Sequence, residues 1–395
     1  MEFSDKIKTV KPSAIREIFK VLGDPSIISL AGGNPDPKSF PIEEMKIIAN
    51  DIFTNNGMQA LQYSITEGYP LLREQIADRL AKKFNSYTEN DSLIVMTGGQ
   101  QGIDLTTKVL CNEHDTVICE DPTFIGALNA FRTYNVNLCG IPMESDGLNI
   151  EALEHALKTE KNVKMIYLIP TFQNPMGSCM SLEKRKAVYE LAKKYGVVIL
   201  EDNPYGELRF EGEDIPTIKS LDTDGIVVYC GSFSKILSPG MRVGFLSVPQ
   251  EIAAKIVVAK QVTDVHTNIF FQMTVSEYLK RYDLDKHIEG IRALYKEKNQ
   301  AMRDAIKRYL PENIKTTTPQ GGIFLWIDLP ESINSQPFSS RLVAEKKVAV
   351  VPGSAFLPDE TKISNGIHLN YSMPTAEQID TGILRISELL KEYNY

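Results

Sequence analysis

Short β-rich runs alternate with helical patterns through the middle of this chain, and that alternation constrains the fold more than any other feature. The runs that read as strands cover residues 93–96, 116–119, 163–169, 197–200, 225–230 and 243–248. Helical periodicity lies between them at 102–110, 150–157 and 182–195, the last framed by Ser181 as N-cap and Gly196 just past its end. Parallel strands need long crossover connections, and intervening helices supply them. The expected class is therefore α/β, with a mostly parallel sheet covered on both faces.

The texture changes after residue 282. A long helical pattern at 288–310 stops at Pro311. Strand-like residues 322–327, a turn, and strand-like 348–351 and 367–371 follow, then a terminal helix at 376–393. These features predict a smaller α+β lobe. The first ~45 residues, with a helix at 13–21 and a loop at 30–41, are too few for a domain and are expected to pack on that lobe. A chain of 395 residues has room for two joined domains. The division is a segment 1–45, a large domain 46–285 and a small domain 286–395.

Charge narrows the partners. With 43 basic and 51 acidic residues the net charge is 43 − 51 = −8, which argues against a nucleic-acid backbone or an anionic membrane. The doublets Lys82-Lys83, Lys193-Lys194 and Lys346-Lys347 read as solvated helix edges. Five cysteines (Cys111, Cys119, Cys139, Cys179, Cys230) form no CxxC pair and are odd in number, so a disulfide framework is not expected and a reducing, cytoplasmic setting is. Cys111 and His114 have no second ligand pair nearby, so no metal site is expected. The start, MEFSDKIKTV, has no apolar signal core. The uncharged stretch 165–182 contains Pro170, Pro175 and Gly177, which a spanning helix would not tolerate.

In open α/β sheets ligands bind beyond the carboxyl ends of the strands, so chemistry is sought there. After 93–96 comes Thr97-Gly98-Gly99-Gln100-Gln101-Gly102 and then a helix, whose free N–H groups and dipole suit a phosphate. The turn is neither GxGxxG nor a Walker A sequence, and by itself reads equally well as a plain tight turn. After 225–230 come Ser232, Ser234 and Lys235, then Arg242, a side chain suited to gripping phosphate. A neighbouring guanidinium would lower the pKa of Lys235 and free its amine for a carbonyl. Ser232-x-x-Lys235 also matches an acyl-enzyme pattern, but no Ser-Asp-Asn or Lys-Thr-Gly accompanies it. Two further strand ends carry Glu201-Asp202-Asn203-Pro204-Tyr205 and Gln173-Asn174-Pro175. Pyridoxal phosphate requires such a set: a lysine, a carboxylate for the ring nitrogen, and a phosphate anchor.

The chain resembles the fold-type I pyridoxal-phosphate enzymes of the class I/II aminotransferases, in the branch with 2-aminoadipate and kynurenine aminotransferases. The resemblance runs from Ser13-Ala14-Ile15-Arg16 and Leu30-Ala31-Gly32-Gly33-Asn34-Pro35, through Tyr63, Gly98–Gln101, Phe124, Asn174, Asp202–Tyr205 and Ser232–Lys235, to Gln320-Gly321-Gly322 and Val351-Pro352-Gly353. It implies a large domain with a mostly parallel, seven-stranded-type sheet, a smaller α+β domain, and transamination between an amino acid and a 2-oxo acid. Lys235 would hold the cofactor and act as general base. Asp202 would pair with the ring nitrogen, and Asn174 and Tyr205 with the ring oxygen. Gly99, Gln100, Ser232, Ser234 and Arg242 would take the phosphate, and Phe124 would stack on the ring. Tyr63 would reach the neighbouring subunit's phosphate, making the active unit a homodimer. Ser13, Arg16, Gly33, Asn174 and His368 would contact substrate.

Three positions depart from the family pattern. Phe124 stands where Tyr is usual, and Gly99 where Ser is common. His368, in Ile367-His368-Leu369-Asn370-Tyr371-Ser372, stands where an Arg holds the substrate α-carboxylate. A His offers one charge-assisted bond, and only when protonated. Two outcomes follow: a protonated His368 as the clamp, or a substrate lacking that carboxylate. Other reactions of the same cofactor (β-elimination, decarboxylation, action on a simple amine) and a non-catalytic regulatory role are the alternatives to transamination.

Overall fold

The computed structural model describes residues 2–8, 10 and 24–393. The helix expected at 13–21, with Ser13 and Arg16, lies outside them. The strands in chain order are β1 (Ile28–Ser29), β2 (Asp91–Met96), β3 (Thr116–Asp121), β4 (Asn137–Glu144), β5 (Gly147–Leu148), β6 (Val163–Leu168), β7 (Val198–Asp202), β8 (Val227–Ser232), β9 (Gly244–Pro249), β10 (Lys315–Thr316), β11 (Phe324–Asp328), β12 (Val348–Ala349), β13 (Val351–Pro352) and β14 (Gly366–Asn370).

The large sheet has the order β2-β9-β8-β7-β6-β3-β4-β5. Strands β8, β7, β6, β3 and β4 pair in parallel, β9 runs antiparallel to both β8 and β2, and β5 is a two-residue edge hairpin. This is the mostly parallel sheet expected, seven longer strands with β5 as a short eighth. The central strands are near-continuous apolar runs because helices cover both faces. One side packs Ile103, Phe131 and Ile256 on the sheet; the other packs Leu153 and Val188.

All six expected strands of this sheet occur, each within two residues of the expected ends. The helix Leu182–Tyr195 has the expected bounds, with Ser181 accepting from the Lys184 N–H and Gly196 left-handed at φ 67°. Strand β4 was not anticipated, because its Gly140 and Pro142 read as strand breakers. It lies next to the sheet's edge, where both are tolerated.

The small sheet is antiparallel, in the order β10-β11-β14-β13. The expected turn between 327 and 348 is in fact a helix, Ser335–Lys346. Its Ser- and Pro-rich start hides it, but Pro337 sits in the first turn, where its missing N–H costs nothing, and Asn334 caps it. The expected strand 348–351 divides: β12 pairs with β1, and β13 with β14. A continuous apolar cluster runs from Ile48 and Leu72 through Phe233 to Ile288 and Leu390, tying the two sheets together. Among the described residues no helix is long and apolar enough to cross a membrane.

Candidate active site

The parallel direction of β2, β3, β6, β7 and β8 brings Met96, Asp121, Leu168, Asp202 and Ser232 to one edge of the sheet. A cavity of about 260 Å³ opens there. Its lining includes Gly33, Gly99, Gln100, Phe124, Asn174, Asp202, Tyr205, Ser232, Ser234, Lys235, Arg242 and His368, so twelve residues singled out from the sequence converge on it. Tyr63 does not. It is 82 % exposed, with its ring edge-on to His266 at 5.9 Å.

Register explains the first cluster. Gly244 of β9 lies opposite Met96 on one side and Ser232 on the other, which sets the turn after β2 beside the end of β8. A Cβ on Gly244 would lie 2.8 Å from Gly98 C and Gly99 N, so only glycine admits this approach. Gly98 adopts φ 77°, and a Cβ there would collide with the Arg242 guanidinium. The helix Gly99–Leu110 starts at that point. The Ser232 and Ser234 hydroxyls are 2.9 Å apart beside it. Two hydroxyls, a guanidinium and a helix N-terminus make a cradle suited to a phosphate.

Lys235 is half-buried, and its Nζ donates to the Gly33 carbonyl at 2.6 Å. Burial, and then the Arg242 guanidinium, bring its ammonium down to about 8. At the end of β7, Asp202 is buried, and one of its oxygens accepts from the Tyr167 hydroxyl at 2.8 Å. Burial pushes this carboxyl up to about 7, against the lowering effect of Tyr167. A cation placed against the free oxygen would reverse that.

The loop after β6 is held rigidly. Gln173 donates to the Pro122 carbonyl at 2.8 Å and to Glu120 at 3.2 Å, and Arg185 bonds the Pro170 carbonyl and the Thr171 hydroxyl. Asn174 is thereby presented to Tyr205, with Nδ2 3.5 Å from the phenol oxygen. The Asn174 Oδ1 is buried and without a protein partner. That orphaned amide, the glycine-lined cradle and the carboxylate with one free oxygen fit pyridoxal phosphate.

His368 is 2 % exposed, between the rings of Phe324 (4.5 Å) and Phe356 (5.1 Å). Its Nδ1 lies 3.0 Å from the Pro175 carbonyl, which can only accept, so Nδ1 carries the proton. Burial drives the ring down to about 4, while the Pro175 and Gly32 carbonyls pull the other way. The ring is neutral at pH 7. Among the described residues, Arg242 is the one arginine lining the cavity.

Sequence reasoning missed Tyr167 and Phe324, because an aromatic in a strand reads as core, and Phe356, which closes the short 3-10 turn Gly353–Phe356. It also missed Glu120, a buried carboxyl at the end of β3 whose Oε1 has no partner and which burial pushes up to about 7. Two adjacent acids, Glu120 and Asp121, closing an apolar strand were the available signal.

The family Aminotransferase class I and II matches residues 25–386. Aromatic-amino-acid aminotransferase 1 of Thermococcus litoralis is 40 % identical over 99 % of this chain and 94 % of its own length. The 2-aminoadipate transaminase of Thermus thermophilus is 37 % identical, over 97 % and 94 %. The crystal structure of Pyrococcus horikoshii kynurenine aminotransferase in complex with PMP superposes with a TM-score of 0.95 at 40 % identity, covering all of this chain and 98 % of that one.

Proposed function

This chain belongs to the class I and II aminotransferases and transaminates amino acids with pyridoxal phosphate, and from that premise we propose that Lys235 both holds the cofactor and carries the reaction's proton. When bound, pyridoxal phosphate supplies an aldehyde that captures amines and a ring that draws electrons from the substrate α-carbon. The observation that carries the reading is the Lys235 Nζ, inside the cavity and brought down to about 8. A share of it is unprotonated near neutral pH, so it can take a proton from the α-carbon and return it.

Asp202 would pair its free oxygen with the ring nitrogen while Tyr167 fixes the other oxygen. Asn174 and Tyr205 would bond the ring oxygen, and Phe124 would cover the ring. Ser232, Ser234, Arg242 and the Gly99 and Gln100 N–H groups would hold the phosphate. Tyr63 would reach the phosphate of a second copy, so that the working unit is a homodimer. The apolar surface around Tyr63 supports this: Met58 is 92 %, Leu61 77 % and Val262 76 % exposed. Five cysteines, odd in number and without a CxxC pair, support a reducing, cytoplasmic setting.

His368 would form a neutral wall. Charging a ring of pKa about 4 at pH 7 costs about 4 kcal/mol, whereas one charge-assisted bond returns roughly 1.5–3 kcal/mol. The neutral form wins. Its Nε2 then offers only a lone pair, so Asn174 and the Gly33 backbone would bind the α-carboxylate. Phe124, Phe324 and Phe356 on the lining favour large apolar or aromatic donors, and Arg16 would serve acidic ones.

Adding amino acids singly to the holoenzyme and following the cofactor's absorbance tests this. Phenylalanine, tyrosine and kynurenine should convert faster than glutamate or 2-aminoadipate. The KM for phenylalanine should stay flat between about pH 6 and 8, because His368 does not titrate there. Faster conversion of acidic donors, or a KM that rises with pH as a protonated clamp is lost, would overturn the reading.

A further inference from the structure

Behind the turn at Thr97–Gln101 lies a charged pair that no step described above uses. Lys260, at the end of the helix Gln250–Gln261, has a fully buried side chain. Its Nζ donates to both carboxylate oxygens of Asp264, at 2.9 and 3.0 Å. Asp264 Oδ2 also accepts from the Thr97 hydroxyl at 2.8 Å and from the Gln101 amide at 2.7 Å. The Gln101 carbonyl oxygen in turn accepts from Lys260 and from the Thr97 backbone N–H, both at 2.8 Å. Three donors therefore converge on one carboxylate, and two on one amide oxygen. Thr97 and Gln101 bracket Gly98, Gly99 and Gln100, and on the far side Arg242 donates to the Thr97 carbonyl at 3.4 Å.

A buried lysine held by a partly exposed carboxylate is a poor way to stabilise a fold, because an apolar side chain at that position would pack as well. What it supplies is direction. The segment that presents it is strained: Val265, a β-branched residue, sits at φ 65°.

We propose that the Lys260–Asp264 pair is a positioning device for the cofactor phosphate, fixing the Thr97–Gln101 turn so that its N–H groups and Arg242 meet the anion in one geometry. The proposal rests on the reading of that turn and Arg242 as the phosphate cradle. Asn at position 264 could not replace the carboxylate. Its amide has one accepting oxygen and would turn donors toward donors.

The test is equilibrium dialysis of the full-length protein, stripped of cofactor, against pyridoxal phosphate and, separately, against pyridoxal, for wild type, Asp264→Asn, Lys260→Met and Arg242→Gln. Asp264→Asn and Lys260→Met should weaken pyridoxal phosphate roughly tenfold or more, the loss expected of charge-assisted bonds, and leave pyridoxal unchanged. Equal weakening of both ligands would mean general damage to the fold and would overturn the proposal. Selective loss in Arg242→Gln without selective loss in the other two would also overturn it while sparing the cradle. If Arg242→Gln leaves the ratio of the two affinities untouched, the cradle reading is wrong and the inference falls with it.

Discussion

At the scale of single residues, the environment of Lys235 sets the pH at which the site can capture a carbonyl. Its ammonium is brought down to about 8 from 10.5 by burial first and by Arg242 second. The reactive amine is the unprotonated form, so the rate at which cofactor-free protein captures pyridoxal should rise with pH through about 8 and level off above it. Pyridoxal carries no phosphate, so Arg242→Gln can be compared without loss of an anchor. That variant should move the midpoint upward, because one of the two depressing influences is gone. An unmoved midpoint would show that Arg242 does not act on the amine. Lys235, Asp202, Asn174 and Tyr205 were legible in the sequence because each follows a strand end with polar neighbours and glycines. Tyr167 was not, since a strand tyrosine declares its partner only when the register sets it beside Asp202. The charge of His368 was illegible for a related reason: it depends on Phe324 and Phe356, residues 44 and 12 positions away in the sequence.

Among the elements, the turn from β2 into the helix Gly99–Leu110 is the most demanding. Gly98→Ala would place a methyl group in a left-handed conformation and against the Arg242 guanidinium. The guanidinium must then leave, so the variant should fold and yet bind pyridoxal phosphate more weakly. With ψ at 166°, Gly98 occupies a region that glycine alone populates readily, and Ala there costs about 1–3 kcal/mol, small enough for the fold to survive. Wild-type affinity in Gly98→Ala, measured by cofactor titration with the melting temperature as control, would contradict the cradle. Strands with unbroken apolar runs and helices with clear caps, such as Leu182–Tyr195, could be read directly. The helix Ser335–Lys346 could not, because its start has the composition of a turn, and the burial of Phe338 and Leu342 outweighs local propensity. Strand β4 was hidden by Gly140 and Pro142, whose tolerance comes from position in the sheet and not from the residues themselves.

Across the whole molecule, the exposed apolar residues gather where the helices Ile42–Ala60 and Ile269–Arg281 meet. Phe53 and Phe270 stack at 4.9 Å there, and Tyr63 and His266 continue the surface toward Val262. Patches of this kind mark association surfaces. Met58→Glu combined with Val262→Glu should convert a sedimenting dimer into a monomer that loses cofactor more readily, since Tyr63 would no longer reach a partner's phosphate. A double variant that still sediments as a dimer would place the interface elsewhere. The overall α/β plan was legible from strand and helix alternation, whereas this face emerges only when helices distant in sequence pack together. The central claim is that this edge of the sheet is an aminotransferase site built around Lys235. Borohydride reduction of the holoenzyme followed by peptide mass spectrometry tests it most directly. The account predicts the pyridoxyl phosphate mass on Lys235 and on no other lysine, and its disappearance when the enzyme is first incubated with tyrosine. Cofactor fixed to a different lysine, or retained on Lys235 after amino-donor treatment, would contradict it.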